Sequence, residues 1–191
     1  MIFLDPDLES DRSKPTKLRS AIPSHPRSHR IPSVRTLARF LHDAQSAVKL
    51  RGQVTVLLTT DGAIRRLNRQ FRGKNKATDV LSFPAYSPDP KGEGPAAPAP
   101  LDVSHVSKTG RHGAPHRIAG DIAISVHTAR KQADALGHPL AAEIKVLMLH
   151  GLLHLAGYDH ETDEGEMARR EARLRAKLRL PLGLIERSVR A

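Results

Sequence analysis

The sequence predicts an α+β fold, a small central sheet packed with helices, carrying a three-histidine metal site at the end of a core helix. Three observations lead there. Short runs rich in apolar and β-branched residues, at 53–58, 78–83 and 120–125, read as strands. Longer segments around them place apolar residues at helical spacing. The most apolar of those segments carries two histidines four residues apart, His150 and His154.

Residues 1–8 read as a short strand. Residues 10–32 scatter Arg, Lys, Ser, Pro and His without apolar periodicity and read as flexible. Ser33 is placed to cap a helix with Val34, Leu37, Ala38, Leu41 and Ala44 at helical spacing. The strand at 53–58 follows. Asp61 then reads as the cap of a helix with Ile64, Leu67 and Phe71 on one face. The strand at 78–83 is stopped by Pro84. Residues 87–117, with Pro at 88, 90, 95, 98, 100 and 115, fit no packed element and read as a flexible insertion.

Gly120–Ser125 resumes as a strand. A helix over 127–136 ends at Gly137, and Pro139 opens the next helix, which runs to Ala156. The last helix starts near Asp163 with Glu166 as its capping-box partner. Its acidic residues come first and its basic ones last, which suits the helix dipole. The order also offers Glu166–Arg170 and Glu171–Arg175 pairs at i and i+4, and the basic face reads as solvated surface. Residues 1–191 together read as a single domain.

Composition narrows the function. The formal net charge is +11, which favours a polyanionic partner such as nucleic acid, the ribosome or an acidic membrane surface. A blander account puts much of that charge in loose tails. There is no cysteine, so disulfides and thiolate metal sites are excluded. The apolar run at Met1–Leu4 is too short for a signal peptide. No stretch approaches the ~20 apolar residues of a membrane span. A cytoplasmic protein is the expectation.

The informative segment is His150-Gly151-Leu152-Leu153-His154-Leu155-Ala156-Gly157-Tyr158-Asp159-His160. Two imidazoles at i and i+4 stack on one face of a helix, one turn apart. Gly157 can take positive φ, end the helix and turn the chain back, so that His160 supplies a third ligand. Three ligands leave one tetrahedral position of a zinc ion for water or substrate, the mark of a catalytic site. One ion per chain is expected. The spacing also fits the long metalloprotease pattern H-E-x-x-H-x-x-G-x-x-H, except that Gly151 stands where the peptidase has its glutamate base. A zinc peptidase is the weaker enzyme reading for that reason. Asp159 reads as a turn-fixing or ligand-orienting residue rather than a base.

A second segment, Phe71-Arg72-Gly73-Lys74-Asn75-Lys76-Ala77-Thr78-Asp79-Val80-Leu81-Ser82-Phe83-Pro84, joins a predicted helix to a predicted strand. Arg72, Lys74 and Lys76 alternate in a short loop that can hold phosphates. With the histidine segment, and with Gly120-Asp121-Ile122 opening a strand, it resembles the YbeY family of bacterial rRNA maturation factors. The resemblance spans about 33–86 and 118–180. It implies a metal-dependent single-strand endoribonuclease acting in 16S rRNA 3′-end maturation and ribosome quality control. It implies zinc on His150, His154 and His160, single-stranded rRNA as substrate, and the ribosome or a ribosomal protein as partner. It also implies a functional arginine in a basic cleft, matching Arg72. The segments 10–32 and 87–117 look longer than the family's connections. A ribosome-assembly or RNA-binding factor with a structural metal is the other reading.

Overall fold

The computed structural model describes residues 1–10, 30–85 and 117–181. Most of the two segments read as flexible, 11–29 and 87–116, lies outside the described residues. Their described ends are ordered: Ser10 closes a short helix, Ile31 packs on the core, and the Arg117 carbonyl accepts from the Gln53 N–H.

The sheet has four strands, β1 (Ile2–Leu4), β2 (Gln53–Thr59), β3 (Val80–Pro84) and β4 (Ile118–Ser125), in the order β1-β2-β4-β3. β1 and β4 run parallel to β2, and β3 runs antiparallel to β4 at the edge. The described helices are α1 (Pro6–Ser10), α2 (Val34–Val48), α3 (Asp61–Arg72), α4 (Val126–Leu136), α5 (Leu140–Leu155) and α6 (Glu166–Leu178). Residues 1–8 are thus a three-residue strand running into a helix.

Strand alternation sorts the side chains onto two faces. Val54, Val56 and Leu58 of β2 join Ile122 and Ile124 of β4 in the main core, with α2, α5 and buried residues of α4 and α6. Leu81 of β3 and Ala123 of β4 point the other way and pack with Ile64, Leu67 and Phe83. Helix α3 therefore lies on the far face, over the β3–β4 half of the sheet, while α5 lies on the core face.

Helix α5 is the hub. Every residue from Val146 to Leu153 is buried, so it has no solvated side along that stretch. It packs on β3, β4, α2, α4 and α6. Gly151 marks the closest approach to the sheet. A Cβ there would meet two Ile122 side-chain atoms at 3.0 Å and Ser82 Oγ at 3.1 Å. The missing side chain lets the helix backbone settle onto the strands.

Three local expectations are corrected. The cap of α3 is Thr60, whose side chain accepts from the Ala63 N–H; Asp61 is already inside the helix and bonds Ser125 and Thr128. Pro84 is the last residue of β3, paired with Gly120, rather than the residue that stops it. This is tolerated because β3 is an edge strand. The last helix begins at Glu166. The Asp163 carboxylate accepts from the Gly165 and Met167 N–H groups, both at 2.7 Å, and the Asp163 N–H donates to the Asp159 carbonyl. That bond occupies the donor a capping box would have given Glu166.

Candidate metal centre

The histidines converge because α5 ends where it does. The Gly157 N–H donates to the His154 carbonyl at 3.0 Å and the Tyr158 N–H to the Leu153 carbonyl at 3.1 Å. This paired closure needs a left-handed residue, and Gly157 supplies it at φ +91. The chain then folds back. The Asp159 carboxylate accepts from the Glu161 N–H and the Thr162 hydroxyl, and its carbonyl accepts from the Thr162 and Asp163 N–H groups. That turn carries His160. The two bonds to the carboxylate, the Glu161 N–H first and then the Thr162 hydroxyl, hold the Asp159 carboxyl below its usual pKa, which makes it a poor base.

One ligand nitrogen from each of His150, His154 and His160 lies within 4.8 Å of the other two. His150 Nε2 and His154 Nε2 are 3.1 Å apart. His150 is buried, His154 half-buried and His160 exposed. Two nitrogens bonded to one zinc ion at ~2.0–2.1 Å lie no more than about 4.2 Å apart. His150 and His154 already meet that limit, and His160 is exposed beside them. The donor set is all imidazole, which suits zinc.

Behind the pair stands a residue that the motif does not contain. Glu171 of α6 is 1% exposed, and its Oε2 lies 3.1 Å from His150 Nδ1. A carboxylate accepts, so Nδ1 carries the proton and the Nε2 lone pair faces His154. The sequence offers Arg175 as a partner of Glu171 one turn on but does not show the histidine. The helical stripe Met167, Glu171, Leu174, Leu178 was the available signal, because a carboxylate on an otherwise apolar stripe needs an inner partner. His154 is also tuned. Burial first, then His150 and His160, lowers its pKa to about 4. It is a neutral imidazole at ordinary pH.

Arg72 is the exposed last residue of α3, followed by the exposed Lys74 and Lys76. Buried Asn68 pins this loop from beneath: its carbonyl accepts from the Lys74 N–H, and its Nδ2 donates to the Lys76 carbonyl at 2.7 Å. Among the described residues no hydrogen bond joins Arg72 to a histidine. Their positions are linked through the sheet. The Phe71 ring meets Phe83 edge-on at 5.2 Å. Gly120, at φ +146, has no room for a side chain because Phe83 O, Pro84 Cα and Leu155 Cδ2 close around it. Leu155 follows His154. The Arg72 end of α3 and the histidine end of α5 thus share one end of the β3–β4 pair, on opposite faces.

A family model described as Endoribonuclease YbeY matches residues 27–179. The chain belongs to that family. Relatives named Endoribonuclease YbeY agree along most of their length. The protein of Koribacter versatilis is 46% identical over 158 residues, covering 83% of this chain and 86% of that one. For Solibacter usitatus the identity is 44% over 151 residues, 79% of this chain and 83% of the relative. For Nautilia profundicola it is 43% over 135 residues, 71% and 78%. The match includes both the histidine segment and the Arg72 loop. The peptidase reading fares worse, since Gly151 is pressed against Ile122 and Ser82 with no space for a base. No described helix is long and apolar enough to cross a membrane.

Proposed function

We propose that this chain is a zinc-dependent single-strand endoribonuclease, acting in the cytoplasm on the 3′ end of 16S rRNA and in ribosome quality control. His150, His154 and His160 hold one zinc ion, and Arg72, Lys74 and Lys76 engage the RNA backbone. The observation that carries the reading is the convergence of three imidazoles backed by a buried carboxylate, at the sheet end shared with Arg72. Family membership supports RNA as the substrate class, and the basic charge supports binding through phosphates.

A bound zinc ion supplies Lewis acidity, polarising a phosphoryl oxygen and acidifying water. The chain's own residues set the stage for it. Glu171 fixes the His150 tautomer. The lowered pKa of His154 keeps its nitrogen free of a proton. The Asp159 turn holds His160 near the pair. Arg72 offers a planar fork to the scissile phosphate and neutralises charge that grows there.

The decisive experiment compares zinc-loaded wild type with folded His154→Ala on single-stranded RNA. Wild type should cleave and the variant should neither hold zinc nor cleave. Equal cleavage by the two would sink the reading and favour a ribosome-assembly factor. Product ends then separate the routes: a cyclic phosphate marks attack by the ribose hydroxyl, and a 5′-phosphate marks attack by water.

A further inference from the structure

We propose that the outer side of α3 is a track for the phosphate backbone of single-stranded RNA, built from Arg65, Arg66, Arg69 and Arg72. It rests on the endoribonuclease reading above and says where the strand lies outside the metal centre.

All four arginines are exposed. Among the described residues none of them forms an ion pair with a carboxylate. The flanking acids in sequence are already engaged: Asp61 accepts from Ser125 and Thr128, with Lys131 Nζ at 3.8 Å, and Asp79 accepts from Thr78, the Val80 N–H and Gln132. Arg65 and Arg69 stand at i and i+4, and Arg69 is three residues from both Arg66 and Arg72. Like charges at those spacings repel and weaken a helix. The helix dipole accounts for Arg69 and Arg72 in the last turn but not for Arg65 and Arg66. The fold thus carries a row of cations that it does not use. A row with no internal counter-charge fits an external polyanion.

Arg65, Arg69 and Arg72 follow one side of the helix for about two turns, ~10 Å. The row ends at Arg72, beside the Lys74–Lys76 loop and at the sheet end where α5 presents its histidines. The inner side of α3 is occupied by Ile64, Leu67 and Phe71, and the Phe71 ring is spent on Phe83. No aromatic residue of α3 is left to stack a base, so the track grips phosphates without reading sequence.

The test uses the full zinc-loaded chain, the variant R65Q/R66Q/R69Q, and R169Q/R173Q/K177Q on α6 as a control that removes equal charge. Affinity is read by fluorescence anisotropy on single strands of about 16 and about 4 nucleotides, across a range of salt, with strand integrity checked afterwards. The α3 variant should bind the long strand at least about tenfold more weakly, and its slope of log K against log salt should shrink by about 2. The short strand should lose less, and the α6 control should keep most of the wild-type slope. Thermal melting should show the α3 variant folded, with an equal or higher Tm, since like-charge pairs are removed. An unchanged slope in the α3 variant, or an equal loss in the α6 control, overturns the track. If wild type cleaves RNA and the α3 variant keeps its full slope, the track alone falls. If wild type neither binds nor cleaves RNA, the endoribonuclease reading falls with it.

Discussion

On α6 the arginines turn back onto the protein: Arg169 donates to the Glu164 carbonyl, Arg170 to Ala47, Arg173 to Arg169 and Arg175 to Pro181. On α3, Arg65, Arg66, Arg69 and Arg72 stay exposed and make no ion pair with a described carboxylate. Both helices are basic, yet their inner sides differ as much as their outer ones. The inner stripe of α6 places Glu171 against His150, so α6 supports the histidine cluster. That of α3 is a small apolar patch against β3 and β4, so α3 serves mainly as a platform. Similar composition thus hides two jobs. Damage to α6 should read out as lost metal or lost stability, and damage to α3 as lost RNA handling.

Arg72→Ala should give the largest separation between the two helices. RNA cleavage should fall by ~2–4 kcal/mol in barrier, the scale of removing one charge-stabilising donor. Zinc content and Tm should not change, because Arg72 is exposed and far from the ligands in sequence. Arg72→Lys should recover part of the rate, since it restores charge without the planar fork. Single-turnover kinetics beside elemental analysis checks this, and wild-type rates in Arg72→Ala would reduce Arg72 to a loop residue.

Glu171→Gln should do the reverse, with a smaller effect. Loss of the carboxylate behind His150 should weaken zinc binding by about 10–100-fold, as for other groups that orient a ligand imidazole. Competition with a chelating indicator measures it. At saturating zinc much of the cleavage should return, and RNA affinity should stay at the wild-type level. Unaltered zinc affinity would make Glu171 an ordinary buried residue.

Acid should distinguish the regions more gently. His154 has a folded pKa lowered to about 4 from the ordinary 6.5. Between those values the unfolded chain binds more protons, so stability from the neutral imidazole is whole above pH 6.5 and is lost as pH falls towards 4. Zinc-free wild type should therefore lose Tm over that window, and His154→Ala should lose less. The R65Q/R66Q/R69Q variant should follow wild type, because arginine does not titrate there. Parallel curves for wild type and His154→Ala would remove His154 as the cause.

Much of the centre was legible because it is local. His150 and His154 share a helix face by the 3.6-residue period, and Gly157 announces the turn that brings back His160. These depend on backbone geometry over eleven residues. The strands at 53–58 and 120–125 were legible for the same reason, through short apolar runs between turn residues. Caps were less so. Thr60 and Asp61 are both good capping residues, and only the observed hydrogen bonds separate them.

By itself the sequence determined the five helices from α2 to α6, the four strands, the three clustered histidines and the basic loop, all set by periodicity and residue chemistry within a few turns of chain. The tertiary structure decided what depends on distance. It set buried Glu171 against His150, twenty-one residues away. Gly151 gained its reason from Ile122 and Ser82, which leave a Cβ only 3.0–3.1 Å. The four-stranded order β1-β2-β4-β3 set the histidine end of α5 and the Arg72 end of α3 at one end of the sheet. The physical reason is common to all three. Burial and close approach are properties of the packed chain, and no local pattern encodes which distant surface will supply the other half of the contact.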